Sequence, residues 1–205
     1  MPRATRIAQQ GEQTREQILD AAVKLFGERG FRGTSLSQIA AQAGVVQSVL
    51  HHHFGSKDQL LTATLLRHYP PAAQRPDVEA IAAGQMEFFD EMLRVTRNNA
   101  AHPDLVRFFS VMTGEALTEG HPAQEFFVAR YDNVREGFVS AIARSKGTTD
   151  PRIIEEISTV VSIFFAMSDG LQMQWLRNPS IDFVASVEIA VQMLRERLDS
   201  LIAPR

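Results

Sequence analysis

Cysteine is absent from the 205 residues, which excludes a disulfide framework, a thiolate metal site and a thiol nucleophile. No apolar run approaches the ~18 residues that a membrane-spanning helix needs. The opening stretch, MPRATRIAQQGEQTRE, also lacks the apolar segment of a secretory leader. These absences lead us to expect a cytoplasmic protein with no membrane attachment. A G-x-S-x-G elbow is missing, and so is any paired-carboxylate or metal-ligating constellation. The glycine spacing in GERGFRG (Gly27, Gly30, Gly33) lacks the Gly-Lys-Ser/Thr ending and the preceding strand of a phosphate loop. We therefore expect no enzyme, no cofactor and no metal.

What the chain does have is charge asymmetry and helical periodicity. Nine of its 21 Lys and Arg and five of its 24 Asp and Glu lie in residues 1 to 75, leaving twelve basic against nineteen acidic residues in the remainder. A net charge of -3 thus hides a basic front suited to a polyanion and an acidic rear that is not. Apolar residues recur at threes and fours throughout, and strict alternation is absent, so the expected fold class is all-α. Ile18, Ala22, Leu25 and Phe26 form a first stripe, with Thr14 and Gln17 as a capping box before it and Gly30 as its left-handed end. Ser35 with Gln38 and Ser56 with Gln59 repeat the capping signature. HYPPAAQRP then breaks the pattern, because Pro70, Pro71 and Pro76 lack donors and restrict their neighbours. Beyond it, helices are expected over 78–98, 105–117, 122–145, 151–176 and 181–202.

Within the front, SLSQIAAQAG and VVQSVLHHHF are two short helices around a tight turn. Gly44 sits at the corner and Ala40 is small where the helices cross, which makes a helix-turn-helix pattern. The triplet His51, His52, His53 does not suggest a metal site. Three adjacent helical residues splay at about 100° apart, and a helical metal pair prefers His at i and i+4. On the same wheel Leu50 and Phe54 face the core with Val46 near them, while His52 and Ser48 point the opposite way.

Residues about 14 to 64, through ILDAAVKLFGERGFRGTSLSQIAAQAGV and LHHHFGSKDQLL, resemble the front domain of the tetracycline-repressor-like (TetR) family of bacterial transcription regulators. The resemblance implies an N-terminal three-helix helix-turn-helix DNA-binding domain joined to a larger helical ligand-binding and dimerisation domain. On that basis residues 1–57 are the arm and DNA-binding domain, 58–75 the connecting helix and Pro-rich break, and 76–205 the effector-binding and dimerisation domain. The helix carrying the histidines becomes a recognition helix whose first residues enter the major groove. Gln47 and Ser48 match positions that meet base edges, and Val49 a position able to touch a thymine methyl. His51 stands where the family often has Tyr, and His53 matches a phosphate-contacting position. Thr34, Ser35 and Ser37 at one helix start and Lys57 at another are expected to hold phosphates, a Lys being unfavourable to the helix dipole there. Arg3, Arg6 and Arg15 either add contacts from a flexible arm or are solvated charge.

For the rear, the resemblance implies a cavity for an effector, apolar or aromatic by composition. Phe108, Met112, Phe165, Met173 and Trp175 are candidates for its lining, and Arg107, Glu115 and Asp169 for its polar handles. The segment AMSDGLQMQWLRNP is similar to one near the end of the family's penultimate helix. Leu171 and the stripe Phe183, Val187, Val191, Leu194, Leu198 are the expected homodimer interface, with charges on the other side of the last helix. The partners expected are thus a double-stranded DNA operator of near-palindromic form, a small-molecule effector and a second copy of the chain. A helical ligand-binding module without DNA binding, or a small helical enzyme, is the alternative.

Overall fold

A computed structural model describes residues 3–69 and 76–202, with the side chains of residues 3 to 7, 76 and 202 left aside. Pro70, Pro71 and the rest of the Pro-rich break up to residue 75 lie outside the described residues, as do the side chains of Arg3 and Arg6. Among the described residues the chain is helical and contains no strand. The helices are α1 (Arg3–Arg29), α2 (Leu36–Gln42), α3 (Gln47–Phe54), α4 (Lys57–His68), α5 (Pro76–Ala82), α6 (Phe88–Ala100), α7 (Pro103–Glu115), α8 (Gln124–Ser145), α9 (Pro151–Arg177) and α10 (Phe183–Ile202).

Local codes explain most of the boundaries. Ser35 and Ser56 each close a reciprocal capping box with the glutamine three residues on. Asp150 accepts from the Arg152 N–H ahead of Pro151, a residue suited to the first turn. Two expectations fail. Thr14 does not cap a helix, because α1 already runs from Arg3 and the Thr14 hydroxyl donates to the Gln10 carbonyl within it. The helix expected over 78–98 is two helices. Gly84 adopts φ 69°, its N–H donates to Ile81 O and that of Gln85 to Ala80 O, the paired bonds of a Schellman ending that only a residue at ease with positive φ completes cheaply.

The helices form two compact units. One gathers α1 to α4 and takes in Asp104–Phe127, which carries α7; the other gathers α5, α6, the rest of α8, α9 and α10. In the first, Ile18, Leu19 and Phe26 of α1 are buried with Ile39, Leu50, Leu60 and Phe108. Phe26 stacks on Phe108 with ring centroids 6.5 Å apart and lies 5.8 Å from Phe31. In the second, Phe88 meets Phe138 and Phe164 edge to face at 5.1 and 5.6 Å, and Ile157, Val161, Val187 and Val191 complete the core.

Candidate nucleic-acid interface

The corner between α2 and α3 follows from one glycine. Gly44 adopts φ 71°, its N–H donates to Ala41 O, and Val45 N–H donates to Ala40 O. This Schellman pair satisfies the last carbonyls of α2 and turns the chain sharply. Ala40, almost fully buried, keeps the crossing close. Helix α3 then buries Leu50 and Phe54 and leaves Gln47, Ser48, His51 and His52 exposed, with Val49 and His53 partly covered. Apolar burial on one side thus fixes which side chains the other side offers.

Val46 departs from the helical wheel. It was expected near the core, yet it is 66 % exposed at the tip of the motif. Its extended backbone, φ -80° and ψ 148°, makes it the residue before the helix, where helical angles do not apply. It gives α3 no side-chain cap. Val46, missed by the sequence reading, therefore joins Gln47 and Ser48 on the exposed start of α3.

The three histidines splay as expected. His51 Nδ1 lies 2.8 Å from Gly55 O and its Nε2 3.4 Å from Gln47 Nε2, while the His52 and His53 rings meet edge on at 5.7 Å. Among the described residues no three His, Asp or Glu side chains gather as a metal ion requires.

The polar residues expected on phosphates divide. Ser35 and Ser37 are exposed, with hydroxyls 2.9 Å apart at the start of α2. Thr34 is corrected: it is only 2 % exposed, and its hydroxyl donates to Leu25 O and Gly30 O, so it ties the α1 end to the following turn. The dipole argument for Lys57 also needs correction. Its ammonium donates to Phe31 O and Thr34 O, both at 3.0 Å, and rests over the Phe31 ring at 4.2 Å. Those carbonyls and the ring face offset the unfavourable dipole and give the residue a structural reason to be there. One of its three donor directions is left for another acceptor. Arg15 belongs to α1 and not to an arm, with its guanidinium over the Phe54 ring at 5.5 Å.

From the other end, the Phe31 N–H donates to the Glu115 carboxylate at 2.8 Å. His121, buried, sets its ring edge on Phe31 at 5.3 Å and brings Nε2 to 3.4 Å from Glu115. Phe31 is thus gripped by the start of α4 and the end of α7. Sequence pattern gave no sign of this, since the partners lie 26 and 84 positions away.

The expected effector lining is divided between the two units. Phe108 and Met112 are fully buried in the core of the first unit. Phe165 and Trp175 belong to the second unit, where Trp175 stacks on Phe183 at 5.3 Å, and Met173 is exposed on α9. Of the polar handles, Glu115 is taken by Phe31. Asp169 is half-buried, accepting from the Tyr131 hydroxyl at 2.7 Å and from Gln172 Nε2 at 3.1 Å. Burial pushes its carboxyl above the ordinary range, against the lowering pull of the Tyr131 and Gln172 hydrogen bonds and of the Arg130 charge.

A raised carboxyl pKa favours the protonated folded form, so stability falls as pH climbs from the unfolded value near 3.8 through the raised folded one. Asp169→Asn removes that loss while its amide oxygen still accepts from Tyr131. The variant is expected to gain melting temperature relative to the parent as pH rises across this window, by about 2–4 °C for each kcal/mol in a chain of this size. Parallel melting curves at several pH values check it, and a pH-independent difference would refute the assignment.

The dimer stripe is corrected as well. Phe183, Val187, Val191, Leu194 and Leu198 are buried against the chain's own second core, and Leu171 packs partly against it. The apolar residues that α10 leaves exposed are Ile189 and Met193.

Comparisons agree with this geometry. The family model described as bacterial regulatory proteins, tetR family, matches residues 18–64. The chain is 28 % identical over 192 residues to the HTH-type transcriptional regulator BetI of Rhizobium meliloti (strain 1021), covering 90 % of this chain and 89 % of that one. Among solved structures, it is similar to NalD, the secondary repressor of the MexAB-OprM multidrug efflux pump in Pseudomonas aeruginosa. The TM-score is 0.66 at 23 % identity, over 91 % of this chain and 96 % of that one. The SmeT–triclosan complex gives a TM-score of 0.70 at 19 % identity, over 93 % and 95 %. SmeT is the repressor of the Stenotrophomonas maltophilia multidrug efflux pump SmeDEF. At these identities the solved structures speak for the shared helical fold.

Proposed function

We propose that the chain, whose residues 18–64 match the tetR family of bacterial regulatory proteins and which is similar to BetI over most of its length, is a ligand-responsive repressor that binds a near-palindromic operator as a homodimer and is released by a small-molecule effector. The observation that carries the DNA reading is the exposed start of α3, where Gln47 and Ser48 face outward on a helix anchored from behind by Leu50 and Phe54. Residues 1–57 are assigned to DNA binding, 58–75 to the connection, and 76–205 to effector binding and dimerisation. Gln47, Ser48 and Val49 read base edges, while Ser35, Ser37, His53 and the remaining donor of Lys57 hold phosphates.

Two relatives by fold, NalD and SmeT, are named as repressors, and SmeT is in complex with triclosan. They support repression and an apolar or aromatic effector here. We assign the effector to the second unit near Asp169, Phe165 and Trp175, where a half-buried carboxylate adjoins an apolar helical core. Effector binding favours a rear conformation in which α4 swings and the two recognition helices lose their spacing of about 34 Å. Such a protein acts in the cytoplasm, and nothing in its chemistry requires turnover.

Selection of sites from random duplex DNA, together with binding to DNA upstream of its own gene, tests this. The expected result is a near-palindromic site at which Gln47→Ala costs about 1–3 kcal/mol per half-site and relaxes preference at one base pair. If both experiments yield only weak binding that ignores sequence, the repressor reading fails and a ligand-binding module takes its place.

A further inference from the structure

His51 and Gln47 stand four residues apart on the exposed side of α3, and both are bound to something before any DNA arrives. The chain after the helix sets the arrangement. Gly55 adopts φ 70° and ψ -65°, and Ser56 N–H donates back to Phe54 O at 2.8 Å across it. The positive φ disfavours any side chain there, and a Cβ, 2.4 Å from Gln59 Oε1, would also displace the glutamine of the Ser56 capping box. This tight turn presents the Gly55 carbonyl to His51 Nδ1 at 2.8 Å.

A carbonyl oxygen only accepts, so Nδ1 carries the proton. In the neutral ring Nε2 is then a lone pair, an acceptor. Gln47 lies 3.4 Å from that lone pair with its amide nitrogen, the end that can donate to it. The opposite orientation would set oxygen against lone pair. One Gln47 N–H is thus engaged, leaving its carbonyl oxygen and its second N–H. That acceptor and donor are the pair that adenine requires for bidentate contact, through N6–H and N7. An amide free to turn could instead offer both N–H groups to guanine O6 and N7. Both side chains are exposed in the free protein; when the groove excludes water, the bond strengthens.

We propose that His51 is a specificity-determining positioning residue: relayed from the Gly55 carbonyl, it fixes the Gln47 amide in the orientation that prefers adenine. The inference rests on reading α3 as the recognition helix, and it accounts for a histidine at a position where the family often has Tyr.

The test starts from the site selected from random duplex DNA by the full-length protein, at the base pair where Gln47→Ala relaxes preference. Binding to the adenine and guanine versions of this site is measured for the parent, His51→Phe, Gln47→Ala and the double variant, with salt titrations and melting curves. Phe keeps the ring and removes both nitrogens. The expected result is a loss of about fivefold or more in adenine preference for His51→Phe, within the range that a bidentate contact supplies. The salt slope should stay unchanged, and no further loss should appear when Gln47 is already Ala. His51→Ala should behave alike, which keeps the test open if the Phe variant folds poorly. Undiminished adenine preference in either folded variant overturns the proposal, as does an equal change in the Gln47→Ala background. Should sites be selected while Gln47→Ala relaxes nothing, the relay falls but the DNA reading stands. If no site is selected, both fall.

Discussion

Phe26→Ala is expected to cost about 3–5 kcal/mol, a large share of the ~5–15 kcal/mol that holds a protein of this kind folded. The ring is fully buried between Phe31 and Phe108. Truncation removes its transfer free energy and leaves a void, and the size of the second contribution depends on whether neighbours can close in. Here they cannot do so easily. At Gly27, one residue on, a Cβ would already stand 3.1 Å from the Phe108 backbone nitrogen, so α1 and α7 meet backbone to backbone beside the void. The cavity should persist and the loss should lie toward the upper end. Urea unfolding followed by circular dichroism measures it, with Val46→Ala, at an exposed position, as a control expected within about 0.5 kcal/mol. A loss under about 1 kcal/mol for Phe26→Ala would show that the first unit repacks freely.

How far the sequence speaks for itself varies with the range of the interaction. Ser35, Gly44 and Ser56 were legible because a cap or a left-handed corner is written within four or five residues. The core face of α3 was legible for the same reason, and the resemblance over residues 14 to 64 rests on this local grammar. Gly84 was missed because it lies inside an otherwise regular apolar pattern with no proline beside it. Thr34 and Lys57 were read as surface groups because their partners, at Leu25, Gly30 and Phe31, come together only when α1 turns back on the motif. Phe108 and Met112 were set with the rear aromatics because they follow the Pro-rich break, whereas packing returns α7 to the first unit. The stripe on α10 shows the remaining limit. Periodicity says that a face is buried, not whether the same chain or another copy buries it.

That ambiguity leads to the second large expected effect. Since Val187 and Val191 serve the chain's own core, the proposed dimer would have to use what remains: Ile189 and Met193 on α10, exposed at 61 % and 63 %, and on α9 the positions Ile163, Ala166, Gly170 and Met173. The α9 set recurs at intervals of three and four, so it lies on one side, and Ala and Gly at its middle let another helix approach closely. Two such helices from each copy would build a four-helix interface. Ile189→Glu with Met193→Glu places two charges in that contact while touching nothing the single chain buries. The expected product is a folded monomer of 22.9 kDa by light scattering, with a melting temperature that no longer depends on protein concentration. Its operator affinity should fall at least about a hundredfold, because binding of the second half-site loses the millimolar effective concentration that a linked partner supplies. Val187→Glu should behave differently, unfolding the chain instead of dividing the dimer, since that side chain is buried within it. A doubly substituted protein that remains dimeric would move the interface off α10, and a parent protein that is monomeric at operator-binding concentrations would remove the two-fold match between protein and site.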